Sequence, residues 1–208
     1  MGAKDIVAGE NGKFLLLALA LLILSVIIVF MMNAGLYGPS GDLINSKSTY
    51  TQPKQVLEEG VDYSIEIKSN LGDITIDLYE DLAPENVNSL LFLIGERYYE
   101  DLTFHKVVKG FVIQTGDTKG DGTGNPGYSL VQENMVPFSE YDVGMGNASQ
   151  FFVVMVNADM SLINGFFPLV GRVTKGFAVL DSIQKVEVDS NYRPVNDVLI
   201  QSIQIREQ

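Results

Sequence analysis

The chain is 208 residues long, room for one medium domain and an appendage but not for two large enzymatic domains. It carries 14 Lys and Arg against 26 Asp and Glu, and the charges within residues 1–33 cancel, so residues 34–208 hold the whole net charge of −12; a nucleic-acid surface built on clustered cations is excluded. With no cysteine and His105 as the one histidine, the sequence also excludes disulfides, thiolate chemistry, Cys-ligated or His-rich metal centres and a histidine acid–base pair.

After a short tail, residues 1–13, the stretch from Phe14 to Met32 contains no charge and is apolar on every face, unlike an amphipathic helix on a soluble core. Its 19 residues would span about 28 Å as a helix, close to the ~30 Å hydrocarbon thickness of a bilayer. A cleavable signal peptide is the rival, supported by the small residues of Asn33-Ala34-Gly35, although its apolar core usually runs only ~7–15 residues. The preferred reading is an uncleaved signal anchor over 14–32. Lys4 and Lys13 precede it, and the nearest cations after it are Lys47 and Lys54. The positive-inside rule then gives a single-pass protein of the cell membrane, N-terminus cytoplasmic and following domain extracytoplasmic. Residues 33–60, rich in Gly, Ser, Thr, Gln and Pro without an apolar period, read as a flexible tether, and 61–208 as the folded domain.

Within that domain, Tyr63-Ser-Ile-Glu-Ile-Lys68 and Asp73-Ile-Thr-Ile-Asp-Leu-Tyr79 alternate apolar and polar residues around the turn signal Asn70-Leu-Gly72, the pattern of a hairpin. Pro84 opens a helix whose apolar face is Val87, Leu90, Leu91 and Ile94, with Gly95 as its stop. Short apolar runs follow at Val107-Val108, Phe111–Ile113, Phe151–Met155 and Leu169-Val170. Val179, Leu180 and Ile183 suit a second short helix, and 198–205 a closing strand. Many short strands with only two helices predict a mainly β fold, a closed antiparallel barrel rather than a parallel α/β sheet.

The most informative stretches are Thr103-Phe-His-Lys-Val-Val-Lys-Gly-Phe-Val-Ile-Gln-Thr-Gly-Asp117, Gly120-Asp-Gly-Thr-Gly-Asn-Pro-Gly-Tyr128 and Gly146-Asn-Ala-Ser-Gln-Phe-Phe152, with Gly165…Gly171-Arg-Val173 closing the series. In this order they resemble the cyclophilin family of peptidyl-prolyl cis–trans isomerases, from about Tyr63 to Ile205, and the chain looks like a membrane-anchored, prokaryote-like member. The resemblance implies an eight-stranded antiparallel barrel capped by two helices, with a substrate groove on its outside. It puts Lys106 where the family has a catalytic arginine, Phe111 at the proline pocket and Gln114 at the groove glutamine. His105, Gln150, Phe152, Leu162, Ile163 and Phe167 match substrate-binding positions. It implies proline-containing polypeptide clients, no cofactor, no metal and a monomeric domain.

The chemistry such a site must perform can be stated independently. Resonance gives the amide C–N bond a rotation barrier of ~18–20 kcal/mol, and X–Pro bonds interconvert over tens to hundreds of seconds unaided. At the twisted transition state the nitrogen lone pair is released and accepts a hydrogen bond. A catalyst therefore needs an apolar socket for the ring, a donor aimed at that nitrogen and a partner for the rotating carbonyl, but no nucleophile or proton transfer.

Three departures weaken the match. Lys106 offers a mobile point charge where a guanidinium offers a rigid fork. Leu162 and Phe167 stand where many members carry a ring and a histidine, and Val143–Gln150 is shorter than usual. These leave two readings: an isomerase of reduced turnover that assists folding of extracytoplasmic proteins, or a weak or inactive tethered module that binds proline peptides. Other features read as structural. Phe151, adjacent to Phe152 on a strand, must face the core. Gly120–Gly127 lacks the Gly-Lys-Ser/Thr ending of a phosphate loop and reads as tight turns. Asn147-Ala-Ser149 fits a glycosylation acceptor but falls inside the groove motif.

Overall fold

A computed structural model describes residues 49–207. The expected membrane anchor over 14–32 and the first part of the tether lie outside the described residues. Among the described residues, no helix is long and apolar enough to cross a membrane.

The hairpin predicted from period-2 alternation forms as β1 (Tyr63–Ser69) and β2 (Gly72–Leu78), paired so that Ile65 faces Ile76 and Ile67 faces Ile74. These four isoleucines are buried, and the intervening acidic and polar residues line the other face. Helix α1 (Pro84–Gly95) begins at the proline and ends at the glycine that the sequence marks. It has no cap from its own first residues. Instead the Glu133 carboxylate accepts from Glu85 N and Asn86 N, each at 2.8 Å, placing an anion at the positive end of the helix.

The later elements are β3 (Lys106–Val108), β4 (Val112–Thr115), β5 (Asp142–Met145), β6 (Phe151–Val154), a 3-10 turn over Met160–Leu162, β7 (Leu169–Lys175), helix α2 (Phe177–Ile183) and β8 (Ile200–Glu207). All strand pairs are antiparallel, in one sheet of order β3-β4-β6-β5-β7-β2-β1-β8. The fold is thus mainly β with two helices, as expected, but closure is incomplete. The edge strands β3 and β8 share no ladder. The chain just ahead of each meets in an isolated bridge, Thr103 to Leu199, flanked by Phe104 N to Val198 O at 2.9 Å and Ile200 N to Leu102 O at 2.8 Å. The sheet curls into a half-barrel stitched at one end, in place of the fully closed barrel. With only three residues, β3 is too short to supply a complete closing ladder.

Strand alternation divides the apolar residues between two clusters. Val107, Ile113, Val143, Phe151 and Val153 join the isoleucines of β1 and β2 and the apolar face of α1 in the main core. Val112, Phe138, Phe152, Val154, Ile163 and Leu169 form a second cluster, with Phe111 and Phe167 packed against it.

Residues 49–60, placed in the tether by their composition, are laid against the domain. Tyr50 and Leu57 pack on the main core, and Val56 N and Leu57 N donate to Asn88 Oδ1 of α1 at 2.8 and 3.0 Å. Backbone hydrogen bonding to one asparagine leaves no trace in apolar periodicity, so composition does not announce these contacts.

Candidate active site

The site begins as a row across four adjacent strands. Lys106 of β3 pairs with Gln114 of β4, Gln114 with Phe152 of β6, and Phe152 with Gly144 of β5. Directly paired residues share a face and neighbouring strands lie ~4.8 Å apart, so the cation, the amide and the ring are set side by side by the ladder itself. Phe151, one residue along, turns into the main core, as its position next to Phe152 requires.

Gly144 makes room for the aromatic end of this row. A Cβ there would stand 2.7 Å from Phe138 Cζ and closer still to the Phe152 ring. Phe152 is held between Phe138, at 5.7 Å between centroids and 32° between planes, and Phe167, at 5.2 Å and 78°. Phe138 is itself fixed by its backbone N–H, which donates to Asn164 Oδ1 at 2.8 Å. Phe111 enters from the β3–β4 turn, where Gly110 takes φ +70° and Phe111 N reaches Val108 O at 2.9 Å. Ile163 is buried beneath, and Leu162, 61% exposed, forms a lip.

A cavity of about 340 Å³ results, lined by Lys106, Phe111, Gln114, Gln150, Phe152, Leu162, Ile163 and Phe167. That is at the small end of the ~300–1,000 Å³ usual for ligand pockets. These eight residues, far apart in sequence, are every expected site residue but one. Gly122, Gly146 and Asn147 complete the wall.

The polar side of the groove is a chain of amides. Gln114 Nε2 donates to Gln150 Oε1 at 2.8 Å, and Gln150 Nε2 donates to Gly124 O at 2.7 Å and Gly122 O at 3.1 Å. Gln150 is buried, so these bonds are what make its burial tolerable. The glycine-rich stretch thus does more than turn: its carbonyls clamp the groove glutamine. Asn147 folds the short loop into an Asx turn, its Oδ1 accepting from Ser149 N at 2.9 Å and Gln150 N at 2.8 Å, while Nδ2 donates to Gly124 O at 3.1 Å. With both ends of its amide engaged inside the fold, Asn147 is a structural residue of the groove.

His105 is the expected residue that falls outside the socket. It lies in an adjoining depression of about 460 Å³ with Gln114, Asp121, Asp189 and Arg193, and Lys106 stands on the divide between the two cavities. Both ring nitrogens are buried without a hydrogen-bond partner. Burial pushes its pKa down, Asp117 opposes that, and Lys106 and Arg193 reinforce it, so the ring is held neutral. Sequence reasoning missed Phe138, Gly144 and Asn147. Only the Gly-Asn pair carried a local signal, that of a turn. Lys106 is exposed, and its ammonium makes no hydrogen bond or ion pair among the described residues, which leaves it available at the rim.

Comparison with known proteins agrees with this geometry. A family model described as cyclophilin type peptidyl-prolyl cis-trans isomerase/CLD matches residues 63–205. Peptidyl-prolyl cis-trans isomerases of Rhizopus delemar and Arabidopsis thaliana are 37% and 32% identical over 67% and 78% of the chain, which spans only 24% and 26% of their lengths. A second Arabidopsis isomerase is 30% identical over 68% of this chain and 95% of its own. The crystal structure of a cyclophilin type isomerase from Cryptosporidium parvum superposes with a TM-score of 0.64 at 26% identity, covering 71% of this chain and 99% of that one. A second crystal structure of that protein was determined in the presence of the dipeptide Ala-Pro, at 28% identity. With the family model covering nearly the whole described domain, this chain belongs to the cyclophilin-type peptidyl-prolyl cis-trans isomerase family.

Proposed function

We propose that the protein is a membrane-tethered peptidyl-prolyl cis–trans isomerase that turns over X–Pro bonds in extracytoplasmic polypeptides. The observation that carries this reading is the cross-strand row that sets the free Lys106 ammonium beside the Phe111–Phe152–Phe167 socket, with Gln114 between them. The proline ring enters the apolar cavity, which excludes water on one side of the imide bond. Lys106 donates to the pyramidalising nitrogen as the bond twists, an interaction that exists fully only in the half-rotated state and so lowers the barrier rather than merely tightening binding. Gln114, held by Gln150, meets the moving carbonyl. The phenylalanines of the socket supply no nucleophile, and His105 lines the adjoining depression with both ring nitrogens buried.

The N-terminal apolar segment and its flanking lysines support the tethered, extracytoplasmic placement. The test is isomerisation of an Ala-Pro test peptide, followed by NMR exchange. Lys106→Ala should lower kcat/KM by roughly tenfold or more, the loss expected for one transition-state donor. Unchanged turnover removes Lys106 from the mechanism. A second reading, a proline-peptide binder with little turnover, is favoured by the mobile ammonium at a position suited to a fork. Lys106→Arg separates the two: a large gain from near-zero turnover means that the natural protein mainly binds.

A further inference from the structure

The residues ahead of β1 do more than lead into the domain. Tyr50 donates its backbone N–H to Pro126 O at 2.7 Å, its ring stands edge-on to Phe92 of α1 with centroids 5.1 Å apart, and its hydroxyl reaches Glu96 Oε2 at 3.3 Å. Asn88, buried on the same helix, commits its whole side-chain amide to this strap. Besides accepting from Val56 N and Leu57 N, it donates through Nδ2 to Lys54 O at 3.1 Å. Nothing in an isolated barrel needs a buried asparagine that serves only the preceding chain.

The strap's point of contact is the end of the glycine-rich loop. Gly127 sits at φ +102°, and a Cβ there would stand 2.6 Å from Tyr50 O, so the two backbones touch. The same loop supplies Gly122 O and Gly124 O, the two acceptors that clamp Gln150 and, through it, Gln114. Tyr128 is tied separately to Ser89 of α1 at 2.7 Å between oxygens, so the strap governs the loop only as far as Gly127.

We infer that Tyr50 is a positioning residue for substrate binding: wedged between α1 and Pro126-Gly127, it holds the glycine-rich loop where Gly122 and the clamped Gln150 form the groove wall that meets the client chain. The inference rests on the isomerase reading of the groove. Lys106, Gln114 and the aromatic socket hang on the sheet and its 3-10 turn, not on this loop, so unseating the strap loosens the hold on substrate while the rotation step persists.

The experiment compares full-length wild type, Tyr50→Ala and Tyr50→Phe in detergent micelles. It reads kcat and KM on a proline tetrapeptide and backbone hydrogen exchange over residues 120–127. Tyr50→Ala should raise KM by about threefold or more with kcat within about twofold, and should speed exchange in the loop but not in β1 and β2. Tyr50→Phe, which keeps the ring and the backbone donor, should follow wild type. An unmoved KM with unmoved loop exchange, or a fall in kcat with KM unchanged, overturns the inference. Should Tyr50→Ala fail to fold, Tyr50→Leu keeps apolar bulk without the edge-on stack and must show the same split; an unmoved KM there overturns it. Absence of wild-type turnover would instead undo the isomerase reading, and loop exchange alone then decides whether Tyr50 holds the loop.

Discussion

His105 lines the depression next to the socket, beside Lys106 and Gln114. Its two nitrogens are buried without partners, a cost that the unfolded chain does not bear. Burial lowers the ring's pKa in the native state and so favours its neutral form there, whereas the unfolded chain takes up a proton below about pH 6.5. This contribution to stability is therefore complete above that pH and lost progressively as the pH falls below it. Thermal melts at pH 7.5 and pH 5 should show a loss of stability on acidification that is smaller in His105→Leu. Equal losses would show that other groups, not this ring, set the acid sensitivity. At neutral pH His105→Leu should be near neutral in stability, since it removes two unsatisfied polar atoms along with the imidazole. The groove residues were legible because their short motifs kept their order in the chain. His105 shows the limit of that logic: register placed it beside the site, and only burial and cavity geometry show that it faces the adjoining depression.

Among the elements, the β5–β6 pair sets the socket. Gly144 lies opposite Phe152, and the space where its side chain would be is filled by the rings of Phe152 and Phe138. Gly144→Ala should force both rings aside, cost about 1–3 kcal/mol of stability by overpacking, and weaken binding of a proline peptide; a denaturant melt and a peptide titration check both. An unchanged affinity would mean that Phe152 is not the socket wall. Hairpin β1–β2 and helix α1 were readable because period 2, a first-turn proline and a terminal glycine act locally. What was not readable depends on distant partners. Phe138 packs behind Phe152 from a stretch with no periodic pattern, Glu133 caps α1 from across the fold, and residues 54–57 dock through a single asparagine. Closure of the sheet likewise rests on a bridge between Thr103 and Leu199 that no local pattern announces.

At the scale of the molecule, residues 34–208 carry the whole net charge of −12, which favours the approach of cationic chains. At low ionic strength, proline peptides flanked by lysine should therefore show a KM several-fold below that of glutamate-flanked peptides. The difference should vanish near 0.5 M salt, where screening acts within about 4–5 Å. Persistence of the gap at high salt would point to direct contacts instead of the field. The cross-strand row bears on something larger than any one assay. Because sheet spacing fixes the reach from position 106 to the pocket, exchanging the headgroup there, or trimming the lip at Leu162, changes reactivity without retuning the scaffold. The scaffold and the group it presents are thus separable: one exchanged headgroup leaves every ladder hydrogen bond in place.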